Sequence, residues 1–310
     1  MNSLSIIIPA YNESESLPPL LQEITREISN LRIESWEIIV VDDGSNDNTA
    51  EIVKEFYEKN SQIKLISFRR NEGKSLALQA GIDAANGEII ITMDADGQDD
   101  PMEISNFIKK LESGFDMVTG WKKERKDNFI KNSTSKFYNY FVNLLIKAKL
   151  HDSNCGFKAY RTEAAKTLHL YGELHRYIPA LLEANGFSVT EIVVHHRKRK
   201  FGKTKFGPER FIKGALDLVT VLFITRFRYR PLHMFGGLGI IFSSVGVVIG
   251  IYLSYLRLVM GEKIGDRPLL LLGALFLIIG IQITMTGLIG ELITSTQKEV
   301  QRYQVKKELK

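Results

Sequence analysis

The chain has 310 residues, of which 44% are hydrophobic and 25% are charged, and its formal net charge is +5. This composition excludes an intrinsically disordered chain, which would be poorer in apolar residues. Cys155 is the single cysteine, which excludes an intrachain disulfide framework and fits a reducing compartment.

Short apolar runs alternate with helical patterns in the first hundred residues. Residues 4–8, 36–41, 63–66 and 88–93 are typical of buried parallel strands. The segments between them, residues 15–29, 47–59 and 74–84, have the spacing of helices. The alternation predicts an α/β fold with a doubly wound sheet, in which ligands lie beyond the carboxyl ends of the strands.

Polar clusters follow three of these strands. They are PAYNE at residues 9–13, DDGS at 42–45 and DADGQ at 94–98. Each cluster alone could be a helix-capping turn, where Asp, Asn and Ser are common. Three clusters at strand ends of one sheet predict a ligand-binding site.

Four carboxylates lie within seven residues, at Asp94, Asp96, Asp99 and Asp100, with Gln98 among them. Such crowding is electrostatically costly unless a cation neutralises it. Oxygen ligands favour Mg²⁺ or Mn²⁺, which proteins hold with one or two carboxylates together with substrate phosphates. The spacing of an EF-hand is absent, which disfavours a calcium loop. The segment therefore predicts a divalent metal site.

Two common nucleotide-binding motifs are excluded. Residues 71–75 end like a P-loop, but Phe68 stands where its first glycine is required. No G-x-G-x-x-G follows the first strand, which disfavours a dinucleotide-binding site.

Six lysines and arginines lie between Arg197 and Lys205. A charge run is usually a solvated face, and it can also bind nucleic acid. Its position before an amphipathic segment and two apolar runs favours attraction of anionic lipid headgroups, at about 1 kcal/mol per basic residue near the surface. We therefore expect a membrane partner and no nucleic acid.

An amphipathic helix is predicted over residues 208–230. Its apolar face consists of Phe211, Ala215, Leu218, Val219, Leu222 and Phe223. A helix packed on a soluble domain would have the same pattern. We favour a helix on the membrane surface because the long apolar runs follow directly.

Residues 232–255 and 268–290 contain no Lys, Arg, Asp or Glu. Each run exceeds the roughly 20 helical residues that cross a hydrocarbon core. Helices buried in a soluble core rarely stay uncharged for this length. We expect a soluble domain over residues 1–207, a two-helix membrane anchor over 231–293 and a basic tail over 294–310.

Basic residues flank the two apolar runs on one side. Arg226, Arg228 and Arg230 precede the first run, and five lysines and arginines lie within residues 298–310. The connector, residues 259–267, has balanced charges. The positive-inside rule then places the soluble domain and both termini in the cytoplasm, as a multi-pass protein of the cell membrane.

Four motifs of the first half resemble those of family 2 glycosyltransferases with the GT-A fold. They are IIIPAYNE at 6–13, VVDDGSND at 40–47, NEGK at 71–74 and MDADGQDDP at 93–101. Three later motifs, followed by the apolar runs, resemble the polyprenyl-phosphate branch, with its dolichol-phosphate-mannose synthases and bactoprenol glucosyltransferases. They are HDSNCGFK at 151–158, HRYIP at 175–179 and HRKRKFGKTK at 196–205. The resemblance covers essentially the whole chain.

The resemblance implies a role for each matching residue of the donor site. The nucleotide-sugar site would consist of Pro9, Tyr11, Glu13, Asp42, Lys74 and Asp94. Asp42 would contact the base, and Asp94 would approach both the ribose and the metal. Asp94, Asp96 and Gln98 would be the metal ligands, with Mg²⁺ or Mn²⁺ as the cofactor.

The resemblance also implies basic residues that contact phosphates of the donor or the acceptor. Arg199 and Lys205 match such positions and would act in catalysis with Asp94 and Asp96. Lys122 and Lys131 fall where the mannose branch has arginines. Lysine attracts phosphate but lacks the bidentate geometry of arginine.

The implied reaction is a metal-dependent, inverting transfer of a hexose from a nucleotide-diphosphate sugar, with UDP-glucose as the expected donor. The acceptor would be undecaprenyl phosphate or another polyprenyl phosphate, whose phosphate is already ionised at pH 7. A strong base is then not required, although Glu173 and His175 fall where hydroxyl-using relatives keep one.

Two alternatives to this reaction stay open. One is a glycolipid hydroxyl as the acceptor, and another is GDP-mannose as the donor. The small residues of the apolar runs also suit close helix contacts, as in a homodimer or homotetramer.

Overall fold

The computed structural model of the protein describes residues 3–31, 33–123, 150–198, 210–228 and 230–296, with the side chains of 210–215 excepted. The chain forms two compact units, Met1–Val221 and Leu222–Lys310. Lys131, Arg199 and Lys205, which are predicted phosphate-binding residues, lie outside the described residues.

A mixed sheet of seven strands forms the centre of the first unit. The strands are β1 (Ser3–Ala10), β2 (Ser35–Asp42), β3 (Ile63–Ser67), β4 (Ile89–Thr92), β5 (Met117–Trp121), β6 (Lys158–Arg161) and β7 (Val189–Val193). Their order is β3-β2-β1-β4-β6-β5-β7. The four predicted strands are present as β1 to β4 and are mutually parallel where they pair. Strand β6 was not predicted, and it runs antiparallel to both neighbours.

Seven α-helices accompany the sheet in the described part of the first unit. They are α1 (Leu17–Ser29), α2 (Thr49–Lys59), α3 (Lys74–Ala84), α4 (Ile104–Glu112), α5 (Thr162–Ala165), α6 (Ile178–Ala184) and α7 (Arg210–Leu222). Short 3₁₀ helices span Pro101–Glu103 and Leu174–Tyr177. The three helices predicted between the strands are confirmed within two residues at each end.

The core of this unit is formed by apolar residues of the strands and helices. Helix α1 has proline in its first turn, where the fixed φ angle of proline suits the start of a helix. The helix buries five apolar residues at helical spacing, which are Leu17, Leu20, Leu21, Ile24 and Ile28. These side chains pack with buried residues of β1, β2 and β4. The packed sheet gives a rigid edge at the carboxyl ends of the strands.

The reversed direction of β6 brings its first residue to that same edge. Lys158 pairs with Thr92 of β4 on one side and with Thr119 of β5 on the other. The side chains that follow β1, β2, β4 and β5 therefore share an edge with the start of β6.

Helix α7 has one exposed apolar side. The side chains of Leu216 and Val219 are exposed, at 64% and 56%. Asp217 is half-buried, and Glu173 and Arg176 lie near its carboxylate. Of the predicted apolar face, Val219 is exposed, whereas Leu218 and Leu222 are half-buried. The helix on the membrane surface stays a prediction.

The second unit contains two long apolar helices, α8 (Pro231–Leu258) and α9 (Pro268–Thr296). Both are long and apolar enough to cross a membrane. Glycines line their contact: a Cβ atom at Gly280 would lie 2.2 Å from the hydroxyl of Ser243, and one at Gly239 would lie 2.6 Å from the carbonyl oxygen of Gly280. Small residues let the two backbones approach closely, as helix pairs in lipid require.

Replacing Gly280 by leucine should destabilise this helix pair, since no space exists for a side chain against Ser243. Overpacking of this kind costs about 1–3 kcal/mol. Thermal unfolding of the detergent-solubilised protein, followed by circular dichroism, measures the loss. Gly250→Leu is the matched control because nothing lies within 4 Å of a Cβ atom at Gly250. Equal midpoints for the two variants would contradict the close contact.

Candidate functional site

A cleft of about 520 Å³ opens at the ends of β1, β2 and β3. Its lining includes Tyr11, Asp42 and Ser67. Asp42 is held in place because its carboxylate accepts hydrogen bonds from the Ser45 N–H group at 3.1 Å and the Ser67 hydroxyl at 2.8 Å. Of the predicted nucleotide residues, Tyr11 and Asp42 line the cleft, whereas Pro9, Glu13 and Lys74 are not among its described lining.

The loop that closes this cleft is held by Asp43. The Asp43 carboxylate accepts N–H bonds from Glu72 at 2.7 Å and Gly73 at 3.0 Å, and one from the Asn71 side chain at 3.0 Å. Burial, with the neighbouring charges of Asp42 and Glu72, raises the pKa of Asp43 despite these bonds. Asp43 is therefore a buried structural residue that holds the loop at residues 71–73 in place.

The acidic segment divides into two pairs. Asp99 and Asp100 are buried and hold the loop together. Asp99 accepts the Asp94 N–H group at 3.2 Å, and Asp100 caps the 3₁₀ helix through the Met102 N–H group at 3.1 Å. The carboxylates of Asp94 and Asp96 are the more exposed pair.

Asp94 lies at the centre of the site, directly beyond β4. The Lys74 ammonium lies 2.5 Å from its carboxylate, whose side chain is 30% exposed. Burial alone would raise the pKa of Asp94, but Lys74, Lys122 and Lys158 outweigh burial and hold that pKa well below its usual range. Asp94 is therefore ionised at neutral pH.

Gly156 lies directly behind that carboxylate. A Cβ atom at Gly156 would lie 2.5 Å from both oxygens of Asp94. Real Cβ contacts are essentially never this close, so the position of Asp94 requires a glycine.

The predicted metal ligands Asp96 and Gln98 occupy the turn after Asp94. The Asp96 carboxylate accepts the Gln98 N–H group at 3.1 Å. The Gln98 side-chain amide lies 3.3 Å from His196 Nε2 and donates to the carbonyl of Arg197 at 3.4 Å. No group of three His, Cys, Asp or Glu with the spacing of a metal site occurs among the described residues. Two carboxylates and an amide oxygen nevertheless form the hard donor set that Mg²⁺ and Mn²⁺ prefer.

The segment that leads into the basic run is bound to this acidic loop. Arg197 contacts Asp100 at 2.8 Å and Glu23 at 2.5 Å through its guanidinium group. His195 contacts the second oxygen of Asp100 at 3.1 Å. Arg197, the first residue of the run, is thus a structural residue.

Lys122 lies at the site, where its ammonium is paired with a carboxylate. Its ammonium is 3.1 Å from the Asp99 carboxylate, and its side chain is 10% exposed. Burial would lower the pKa of Lys122, but Asp99 and Asp94 raise it above the usual value. The predicted contact with a phosphate stays a prediction.

Lys158 and Ser75 were not predicted as parts of the site, and His175 was considered only as a base. Lys158 is buried and donates to the carbonyl of Cys155, and burial lowers its pKa to about 8. Its signal in the sequence was its place as the last residue of the HDSNCGFK motif at 151–158. The Ser75 hydroxyl lies 2.9 Å from His175 Nδ1.

Glu173 was considered as a general base from the sequence. In the structure its carboxylate lies 2.5 Å from the guanidinium group of Arg176. Burial, followed by the charges of Lys74 and Arg176, lowers the pKa of His175 well below its usual value. His175 is therefore neutral at physiological pH.

Comparisons with known proteins agree with this architecture. The model of the family described as Glycosyl transferase family 2 matches residues 5–168. Dodecaprenyl-phosphate galacturonate synthase of Rhizobium johnstonii is 36% identical over 298 residues, which cover 94% of this chain and 88% of the relative. Undecaprenyl-phosphate 4-deoxy-4-formamido-L-arabinose transferase of Salmonella choleraesuis is 35% identical over 302 residues, which cover 97% of this chain and 90% of the relative.

Solved structures show the fold. Glucosyl-3-phosphoglycerate synthase of Mycobacterium tuberculosis, in complex with Mn²⁺, uridine diphosphate and phosphoglyceric acid, has a TM-score of 0.55 at 17% identity and covers 72% of this chain and 78% of that one. Mannosyl-3-phosphoglycerate synthase of Rubrobacter xylanophilus has a TM-score of 0.57 at 15% identity and covers 73% and 75%. The predicted GT-A type of fold is confirmed.

Proposed function

The chain belongs to glycosyl transferase family 2, and from this premise we propose that it transfers a sugar from a nucleotide-diphosphate sugar to a polyprenyl phosphate. One observation carries the proposal. Two relatives whose names specify polyprenyl-phosphate acceptors match 94% and 97% of this chain, and the match therefore extends into the two apolar helices.

The cleft and the acidic loop support a nucleotide-diphosphate donor. The nucleoside would occupy the cleft beside Tyr11 and Asp42, and the diphosphate would lie toward Asp94. Asp94, Asp96 and Gln98 would hold a divalent cation, which would neutralise charge on the leaving diphosphate. Related folds solved with Mn²⁺ or Mg²⁺ are consistent with this cofactor.

The surroundings of Asp94 support a phosphate acceptor rather than a hydroxyl. A lipid phosphate is ionised at neutral pH and attacks the anomeric carbon without losing a proton. Glu173 is paired with Arg176, and His175 is neutral and bonded to Ser75. Neither side chain has the setting of a strong general base, which fits an acceptor that needs none.

The apolar helices support a reaction at the membrane. Arg226, Arg228 and Arg230 lie just before α8, and by the positive-inside rule the catalytic unit would lie in the cytoplasm. The polyprenyl chain would stay in the bilayer while its phosphate reaches the acidic loop from the basic run of residues 197–205.

Glucose finds no support in the relatives, whose names specify galacturonate and 4-deoxy-4-formamido-L-arabinose. We therefore propose the wider class of nucleotide-diphosphate sugars, which includes pentose and uronic acid donors.

A donor panel tests the proposal. The purified full-length chain is incubated with Mg²⁺ or Mn²⁺, undecaprenyl phosphate and one nucleotide sugar at a time. The panel contains UDP-glucose, UDP-galacturonate, UDP-4-deoxy-4-formamido-L-arabinose and GDP-mannose. We expect one donor to yield a lipid-linked sugar, detected by mass spectrometry, and a chelator to stop the reaction.

Undecaprenol without its phosphate is the matched control acceptor. Since the phosphate supplies the nucleophile, no product should form with the alcohol. Transfer to the alcohol at the same rate would favour a hydroxyl acceptor, and no transfer from any donor to either acceptor would count against the proposed function.

A further inference from the structure

Ser75 and His175 form a reciprocal contact between two distant parts of the chain. Ser75 lies in the first turn of α3, and its hydroxyl is buried. The Ser75 oxygen accepts the backbone N–H group of His175 at 3.1 Å and lies 2.9 Å from Nδ1 of the same residue. The two residues are 100 positions apart, so the contact joins α3 to the 3₁₀ helix Leu174–Tyr177.

The direction of the second bond follows from the proton of the hydroxyl. A buried hydroxyl donates its proton where an acceptor is present. Among the described residues, His175 Nδ1 is the one acceptor in reach of the Ser75 hydroxyl. Ser75 therefore donates to Nδ1, and the ring proton of the neutral imidazole must lie on Nε2.

Burial is the main reason that the ring of His175 stays neutral. Lys74 of α3, Arg176 of its own turn and Lys158 of β6 also disfavour a second proton, and Asp94 favours one. Protonation of Nδ1 would also deprive the Ser75 hydroxyl of its acceptor. His175 thus presents a fixed N–H donor at Nε2, which has no hydrogen-bond partner among the described residues.

The neighbours of His175 indicate which part of a donor it meets. If the nucleoside occupies the cleft and the diphosphate lies near Asp94, the sugar lies beyond Asp94 and toward Lys74 and Lys158. Lys74, which lies 2.5 Å from the Asp94 carboxylate, would already supply positive charge for the diphosphate. A neutral N–H group donates a directional hydrogen bond without adding positive charge, which suits an uncharged oxygen.

We propose that His175 donates a hydrogen bond from Nε2 to an oxygen of the donor's sugar, with Ser75 fixing the tautomer. The inference rests on the proposed function in so far as a nucleotide-diphosphate sugar is the donor. His175 is then a residue of sugar recognition and does not transfer a proton.

The tautomer is tested first, on the full-length chain in nanodiscs without any substrate. The chain is labelled with ¹⁵N-histidine, and the signal that disappears in His175→Gln is assigned to His175. We expect an unprotonated Nδ1 and a protonated Nε2 at neutral pH. Ser75→Ala should lose this preference. A proton on Nδ1 in the wild-type chain would overturn the inference whether or not the proposed function holds.

The sugar contact is tested with the donor that is active in the panel and with its free nucleoside diphosphate. The Nε2 signal should shift with the nucleotide sugar and stay unchanged with the nucleoside diphosphate. Equal shifts would assign His175 to the diphosphate and overturn the sugar contact. Failure of every donor in the panel would instead count against the proposed function and leave the tautomer result standing.

Kinetics separate recognition from a structural role. His175→Leu leaves a sugar oxygen without its partner, which should lower kcat/KM for the donor roughly tenfold to a hundredfold. The KM for undecaprenyl phosphate should stay the same. His175→Gln, whose amide reaches the place of Nε2, should recover most of the loss. A wild-type kcat/KM in His175→Leu would contradict the proposal.

Discussion

Replacing Gly156 by alanine should lower the rate of sugar transfer at least a hundredfold while the protein still folds. The added methyl group would lie 2.5 Å from both oxygens of Asp94, and the carboxylate would have to leave its present position beside Lys74. A displacement of about 1 Å at a reacting centre costs roughly a hundredfold in rate. Initial rates with the active donor and undecaprenyl phosphate measure the effect.

Gly265→Ala is the control for this substitution. Nothing lies within 4 Å of a Cβ atom at Gly265, which lies in the connector between α8 and α9. Its rate should equal that of the wild-type chain. Thermal midpoints of both variants show whether the fold is retained. A folded Gly156→Ala variant with full activity would mean that the position of Asp94 does not matter for transfer.

Asp96→Asn should lower metal-dependent turnover about a hundredfold to a thousandfold, as for removal of one electrostatic contact to a transition state. The asparagine oxygen can still accept the Gln98 N–H bond, so the turn is preserved while one negative charge is lost. Rates are measured across a Mn²⁺ titration, and Mn²⁺ binding is measured independently by electron paramagnetic resonance.

Asp83→Asn is the matched control because Asp83 is an exposed aspartate at the end of α3, where it accepts a bond from Gln79. It should bind Mn²⁺ and turn over like the wild-type chain. Two results would refute a metal role for Asp96: normal Mn²⁺ binding by Asp96→Asn, or unchanged wild-type turnover in the presence of a chelator.

The strands and helices that frame the site were predictable from local patterns. Strands β1, β2 and β4 are apolar runs that are largely buried on both faces, and α1 carries its apolar residues at helical spacing. Strand β6 is short, and its sequence KAYR contains no such run. Its reversed direction depends on pairing with β4 and β5, which local sequence does not encode.

The site itself was predictable only in part. Its place beyond β1, β2 and β4 follows from the polar clusters at their ends. The separate roles of the acidic residues do not follow from the sequence. Asp99 is structural because it pairs with Lys122, and Asp100 is structural because it pairs with Arg197. The contact between Ser75 and His175 spans 100 residues, and Lys158 reaches the site through the sheet register. Long-range pairings of this kind are decided by the fold.

Cys155 has a practical consequence for work on the membrane side of this enzyme. It is the only cysteine of the sequence, it is buried beside the acidic loop, and burial raises the pKa of its thiol to about 11. Since the thiolate is the reactive species, maleimide reagents should leave the native chain unlabelled. A cysteine introduced in the connector would then be the sole reactive thiol. Its labelling in intact cells by an impermeant reagent would report which side of the bilayer the connector faces, with no need to remove a native cysteine first.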